Sequence, residues 1–207
     1  MRKYVILFLV LLISTFCVIA KDDNDSLYKG FMSVYGTLND AIKTSISQNG
    51  SVDSWDWSQG EDYIFDTYLK PNLSIAKTCE MNQVDCWKAS AYRALGERTA
   101  DSPVGLHKTY VLENGTSMMF TLKDANCKES GHTCAFIWVD VNGFEDPNTM
   151  GRDYFKFYIH PKSSKILPVG YSYDKEPDVK SINKSCSLMS TGNYCGAKLL
   201  IEHGMNY

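Results

Sequence analysis

Basic runs are missing from this sequence. Beyond Arg2-Lys3 the lysines and arginines are scattered, and the 207-residue chain carries a formal charge of −3, or −5 with those two set aside, 19 basic residues against 24 acidic. That balance lacks the electrostatic footprint of a nucleic-acid binder. Catalytic signatures are missing too: G-x-S-x-G, H-E-x-x-H and P-loop patterns do not occur, so neither a nucleophile elbow, a zinc-bound water nor a phosphate cradle is announced. The histidines, His107, His132, His160 and His203, are scattered, with no pair spaced to share a helix face. His132 lies between Cys127 and Cys134, but no C-x-x-C occurs anywhere, and structural zinc wants that tighter spacing. The expectation is a non-enzymatic protein with no nucleic-acid partner.

What is present begins with an apolar N-terminus. Arg2-Lys3 precedes an uncharged run from Tyr4 to Ala20, a positive n-region and an apolar segment near the lower length limit for a bilayer span, with Val18-Ile-Ala20 as a small-residue cleavage pattern. Residues 1–20 therefore read as a signal peptide or a membrane anchor, and 21–207 as one exported globular domain, for which a hydrophobic content of 44% supplies a core. Cys17 raises lipidation, against which Phe16 stands at the preceding position, where a small residue is wanted. The other cysteines fall as Cys79/Cys86, Cys127/Cys134 and Cys186/Cys195. Pairing nearest neighbours is the simplest reading, and short disulfide loops fit an oxidising compartment.

After an acidic cluster, apolar residues recur at Leu27, Phe31, Val34, Leu38 and Ala41, widened by Tyr28, Tyr35 and Ile42. Alternating steps of four and three predict an amphipathic helix over 27–48, with Asn49-Gly50 as its stop. Trp55 and Trp57 pin the loop that follows. Ser58 and Glu61 stand at capping-box spacing before a short second helix that ends at Lys70, ahead of Pro71. Residues 79–105 read as irregular cover.

Four strands follow. His107–Glu113 and Thr116–Leu122 flank Asn114-Gly115, the dipeptide of two-residue type I′ hairpins. Ala135-Phe-Ile-Trp-Val and the aromatic run Tyr154, Phe155, Phe157, Tyr158 and Ile159 supply the next pair. The fold class expected is α+β, an N-terminal amphipathic helix packed on a four-stranded antiparallel sheet with disulfide-closed loops. Ile166-Leu-Pro-Val-Gly leaves that sheet, 174–185 is an exposed polar loop, and the tail closes the domain.

The loop joining the last two strands is crowded with side-chain oxygens: Asp140, Asn142, Asp146, Asn148 and Asp153. With Gly143 and Gly151 it is either a turn held by Asx hydrogen bonds or an oxygen cage for Ca²⁺, which takes six to eight oxygen ligands at flexible geometry. The spacing is not that of an EF-hand.

Tyr35-Gly-Thr-Leu-Asn-Asp-Ala-Ile-Lys and Gly50-Ser-Val-Asp-Ser-Trp-Asp-Trp resemble the helix end and following loop of bacterial pilin-like proteins. Asp140-Val-Asn-Gly, Pro147-Asn148, Gly151-Arg-Asp153 and the closing Cys195-Gly-Ala-Lys-Leu-Leu-Ile-Glu-His-Gly-Met-Asn-Tyr207 are similar to the central and terminal motifs of the same group. The resemblance, to type IV pilins and type II secretion pseudopilins, covers most of residues 28–207. It implies a structural subunit or envelope component whose partners are other pilin-like subunits or secretion-system components, at the bacterial cell envelope or surface. The Gly/Ala-Phe-Thr-Leu-x-Glu signature of such proteins is absent; the first acidic residue, Asp22, lies beyond the apolar run. The alternative is a secreted or anchored binding module, adhesive in kind, that forms no filament. Asn-x-Ser/Thr sequons at Asn24, Asn49, Asn72, Asn114 and Asn183 matter only in a eukaryotic secretory host, which the resemblance argues against.

Overall fold

The computed structural model describes residues 2–88, 92–96, 105–127 and 133–207, with side chains from residue 23 onward. The side chains of Tyr4–Ala20, Phe16 and Cys17 among them, and His132 lie outside the described residues. Helix α1 (Arg2–Asn49) continues the predicted amphipathic helix back to the N-terminus. Its stripe of Leu27, Phe31, Val34, Leu38, Ala41 and Ile42 is buried, as the spacing demands. Phe31 sets its ring 4.8 Å from Phe155 and 5.6 Å from Phe157, so the helix lies directly on a sheet. Among the described residues no helix is long and apolar enough to cross a membrane.

The expected four-stranded sheet is wrong: the sheet has six antiparallel strands, in the order β1 (Ile75–Cys79), β2 (Thr109–Leu112), β3 (Ser117–Leu122), β4 (Ala135–Asp140), β5 (Tyr154–Ile159) and β6 (Leu167–Pro168). Both added strands are edges, and edges carry a weak pattern. In β1, Ala76, Lys77 and Thr78 are exposed, so no alternation marks it. Pro168 argues for a break, yet an edge strand tolerates proline because the missing N–H is not needed by a further neighbour; here Tyr158 faces Leu167 and Phe157 faces Pro168.

The Asn114-Gly115 hairpin also differs from its expected type. Only Asn82, Asn148 and His203 combine a side chain with positive φ among the described residues, so Asn114 does not adopt the geometry a type I′ turn requires. Instead Gly115 N donates to Leu112 O and Leu112 N to Thr116 O, and Glu113, Asn114 and Gly115 (φ 86°) make a longer loop with glycine at its left-handed position.

The sheet is covered on both faces. Met118, Phe120, Ile137, Val139, Phe155 and Phe157 face α1, and the alternate positions Met119, Trp138 and Tyr154 pack with Trp87 and Tyr92 on the other side. On that second face Lys156 Nζ lies 3.7 Å from the Phe136 ring centre and 4.1 Å from that of Trp138, cation–π distances.

The second helix starts without the expected capping box. It begins as α2 (Glu61–Ile64), preceded by Gly60, and runs on through Leu69 to a last turn, Lys70–Asn72. Glu61 turns to the sheet, where Oε2 accepts from Leu122 N at 2.8 Å and Oε1 lies 2.7 Å from His107 Nδ1. The supposed loop at 174–185 contains α3 (Val179–Ser185), capped by Asp178, which accepts from Ser181 N at 3.2 Å. The tail forms α4 (Cys195–Glu202). Disulfides join Cys79 to Cys86, Cys127 to Cys134 and Cys186 to Cys195, the nearest-neighbour set, chemistry consistent with an oxidising environment.

Candidate functional site

The β4–β5 loop is a junction for the whole domain. Asp140, the last residue of β4, is fully buried, and its Oδ2 accepts from the Tyr92 hydroxyl at 2.6 Å. Its other oxygen accepts from Asn142 N at 3.3 Å, the Asx turn that starts the loop. Asp153, just before β5, is equally buried and accepts from Asn148 N and Thr149 N, both at 2.6 Å. Between them Asn142 Nδ2 donates to Asp146 O at 3.0 Å and Asn148 Nδ2 to Asp146 Oδ1 at 2.8 Å. Lys88 Nζ pairs with the outward-facing Asp146 carboxylate at 2.8 Å.

These contacts tie distant segments together. Arg93 N donates to Asn148 O and Met150 N to Arg93 O, pinning the segment that carries Tyr92 against the loop. Arg152 reaches α1, donating to Asn24 Oδ1 at 2.7 Å, while Asn24 Nδ2 donates to Met205 O at 3.3 Å and the Tyr207 hydroxyl donates to Gly151 O. The loop thus holds α1 at Asn24, the cover over the second sheet face and the C-terminal residues.

Burial and the neighbouring Asp153 raise the Asp140 carboxyl to a pKa of about 8, against the opposing hydrogen bonds from Tyr92 and the loop amides. Asp153 is raised as well, by burial, with the Thr149 and Asn148 amides pulling the other way. Burial and the Asp140 charge raise the Tyr92 phenol, which stays the donor. Asp146 is lowered by its hydrogen bond with Lys88.

Of the two readings of this loop, the geometry favours the turn over the calcium cage of Asp140, Asn142, Asp146, Asn148 and Asp153. Asp140 is directed to Tyr92, Asp153 to two amides, and Asp146 outward to Lys88, so the three carboxylates serve three separate places. Among the described residues no three His, Cys, Asp or Glu side chains come together as a metal would need. Two buried oxygens, Asn142 Oδ1 and Asn148 Oδ1, have no hydrogen-bond partner among the described residues.

The three described histidines are not brought together: His107 pairs with Glu61, His160 stacks on Tyr173 at 3.7 Å and His203 ends α4. The six paired cysteines sit at 79/86 beside the β1 edge, at 127/134 between β3 and β4, and at 186/195 between α3 and α4. Tyr92, Lys88 and Arg93 were missed because they lie in a stretch of weak periodicity. No local signal there marks Tyr92 as the partner of an aspartate 48 positions away. No family model, curated protein or solved structure matches this chain.

Proposed function

We propose that this chain is a non-enzymatic structural subunit of pilin or pseudopilin kind, a component of a bacterial envelope assembly held at the membrane by residues 4–20. The observation that supports it most is the continuity of α1. One helix from Arg2 to Asn49 carries the apolar segment into a head that clasps its second half. At 1.5 Å per residue the uncharged run from Tyr4 to Ala20 spans roughly 25 Å, near the lower limit for crossing a hydrocarbon core. The hydrogen bonds of Asn24 with Arg152 and Met205 fix where the apolar segment leaves the head. Partners of such a subunit are further pilin-like chains or secretion-system components, meeting it along the apolar helix.

The test is the native N-terminus. Mass spectrometry of the chain from a bacterial envelope should find the apolar run retained and the protein in the membrane or sheared-surface fraction. A product that begins at Lys21 and occurs only in the medium would sink the subunit reading. A secreted binding module would then remain, a second reading favoured by one observation, an open groove beside the turn Pro161–Lys165.

A further inference from the structure

We infer that this groove binds an acidic saccharide. It is a depression of about 300 Å³ between the middle of α1, the β5–β6 turn and the segment after β6, at the small end of the range for small-molecule sites. Its walls are Tyr35 from the helix and Tyr171 and Tyr173 from the segment after β6, all half-buried, with Ser172 between the last two. Lys162 and Lys165 stand at its rim, both exposed. A second depression of about 280 Å³ adjoins it across Lys162 and Ser163, so a chain of more than one ring has room to continue.

The chemistry of these groups selects the ligand. Tyrosine rings offer an apolar face edged by a hydroxyl, which suits a ring with C–H faces and equatorial hydroxyls. Tyr158 Oη donates to the backbone carbonyl of Tyr171 at 2.9 Å, holding the segment that carries these rings, and the Tyr173 ring stacks on His160. Neither the Lys162 nor the Lys165 ammonium group has an ion-pair or hydrogen-bond partner among the described residues. Two unneutralised ammonium groups beside aromatic walls call for a carboxylate carried on a sugar. Asp174, which accepts from Ser172 Oγ at 2.9 Å, and Asp53, in the second depression, put negative charge on either side of the lysines. They disfavour a densely charged polyanion and leave room for one or two carboxylates. This inference goes beyond the subunit reading and holds whether the chain is anchored or released.

Full-length chain in detergent micelles, titrated calorimetrically with tetragalacturonate, is expected to show saturable binding, and neutral maltotetraose none at the same concentrations. The double variant Lys162→Gln/Lys165→Gln should weaken tetragalacturonate by about tenfold or more, the worth of one charge-assisted hydrogen bond. Tyr171→Ala should weaken it comparably, and the thermal melt of the lysine variant should match the parent because both lysines are exposed. No saturable binding to the parent chain overturns the inference. So does affinity unchanged in the lysine variant, or polyphosphate binding as tightly as tetragalacturonate and indifferent to Tyr171→Ala, which would reduce the groove to a patch of charge.

Discussion

Asp140 shows how one side chain can make stability depend on pH. Its carboxyl titrates at about 8 in the folded chain against an ordinary value of 3.8. The folded protein therefore keeps a proton that the unfolded chain has released, and stability is greatest below the lower value and falls as pH rises from about 4 to about 8. The raised Asp153 acts in the same direction. Asp140→Asn keeps a neutral, hydrogen-bonding group beside Tyr92 and removes the titration. In urea unfolding the parent should lose more stability than Asp140→Asn between pH 5 and pH 8. Parallel losses in the two proteins would mean that Asp140 stays ionised in the fold.

The scale of the element brings α1 and the β4–β5 loop into view. Leu38 is buried on the sheet, and Leu38→Ala should cost about 2–5 kcal/mol, the range for a large-to-small core change. The neighbouring Asn39, which helical periodicity places off the buried stripe, is engaged too. Its Nδ2 donates to Ile166 O and its Oδ1 accepts from Ile166 N, each at 3.1 Å, fastening the helix to the chain entering β6. Asn39→Ala should thus cost about 1–3 kcal/mol by stranding two backbone groups, measured by denaturant melts. A loss within a few tenths would show water replacing the amide. For the loop, engaged carboxylates predict a melting temperature that is the same in excess chelator and in millimolar calcium, since only an ion bound to the native state shifts it. A rise with calcium would show the unpartnered Asn142 and Asn148 oxygens turning onto an ion, and would restore the cage.

Across the whole molecule, the disulfides staple the periphery and leave the sheet to its own packing. Cys186–Cys195 joins α3 to α4 over a sequence separation of 9, a loop whose closure is worth at most about 2–3 kcal/mol by chain entropy. Replacing both cysteines by serine should cost hydrogen-exchange protection in α3 and α4 while β3, β4 and β5 keep theirs. Loss spread evenly through those strands would make the bridge part of the central cooperative unit.

The features legible in the sequence are those whose cause is local. Leu27 to Ile42 repeats at helical period, so its burial on one face follows from the chain alone, β4 and β5 are rich enough in β-branched and aromatic residues to be read without neighbours, and Asn114-Gly115 announces the turn before β3. Short cysteine loops likewise pair with what lies nearest. Tertiary structure decided whatever depends on a partner far along the chain. β1 and β6 are strands only because β2 and β5 offer them hydrogen bonds, and Glu61 left its capping role because Leu122 N and His107 stood within reach. Asp140 and Asp153 were legible as a polar loop but not as buried acids. Their burial is produced by Tyr92 and Arg93, brought in from a segment whose own pattern is weak, and the tyrosine and lysine groove exists only where α1, the β5–β6 turn and the segment after β6 meet.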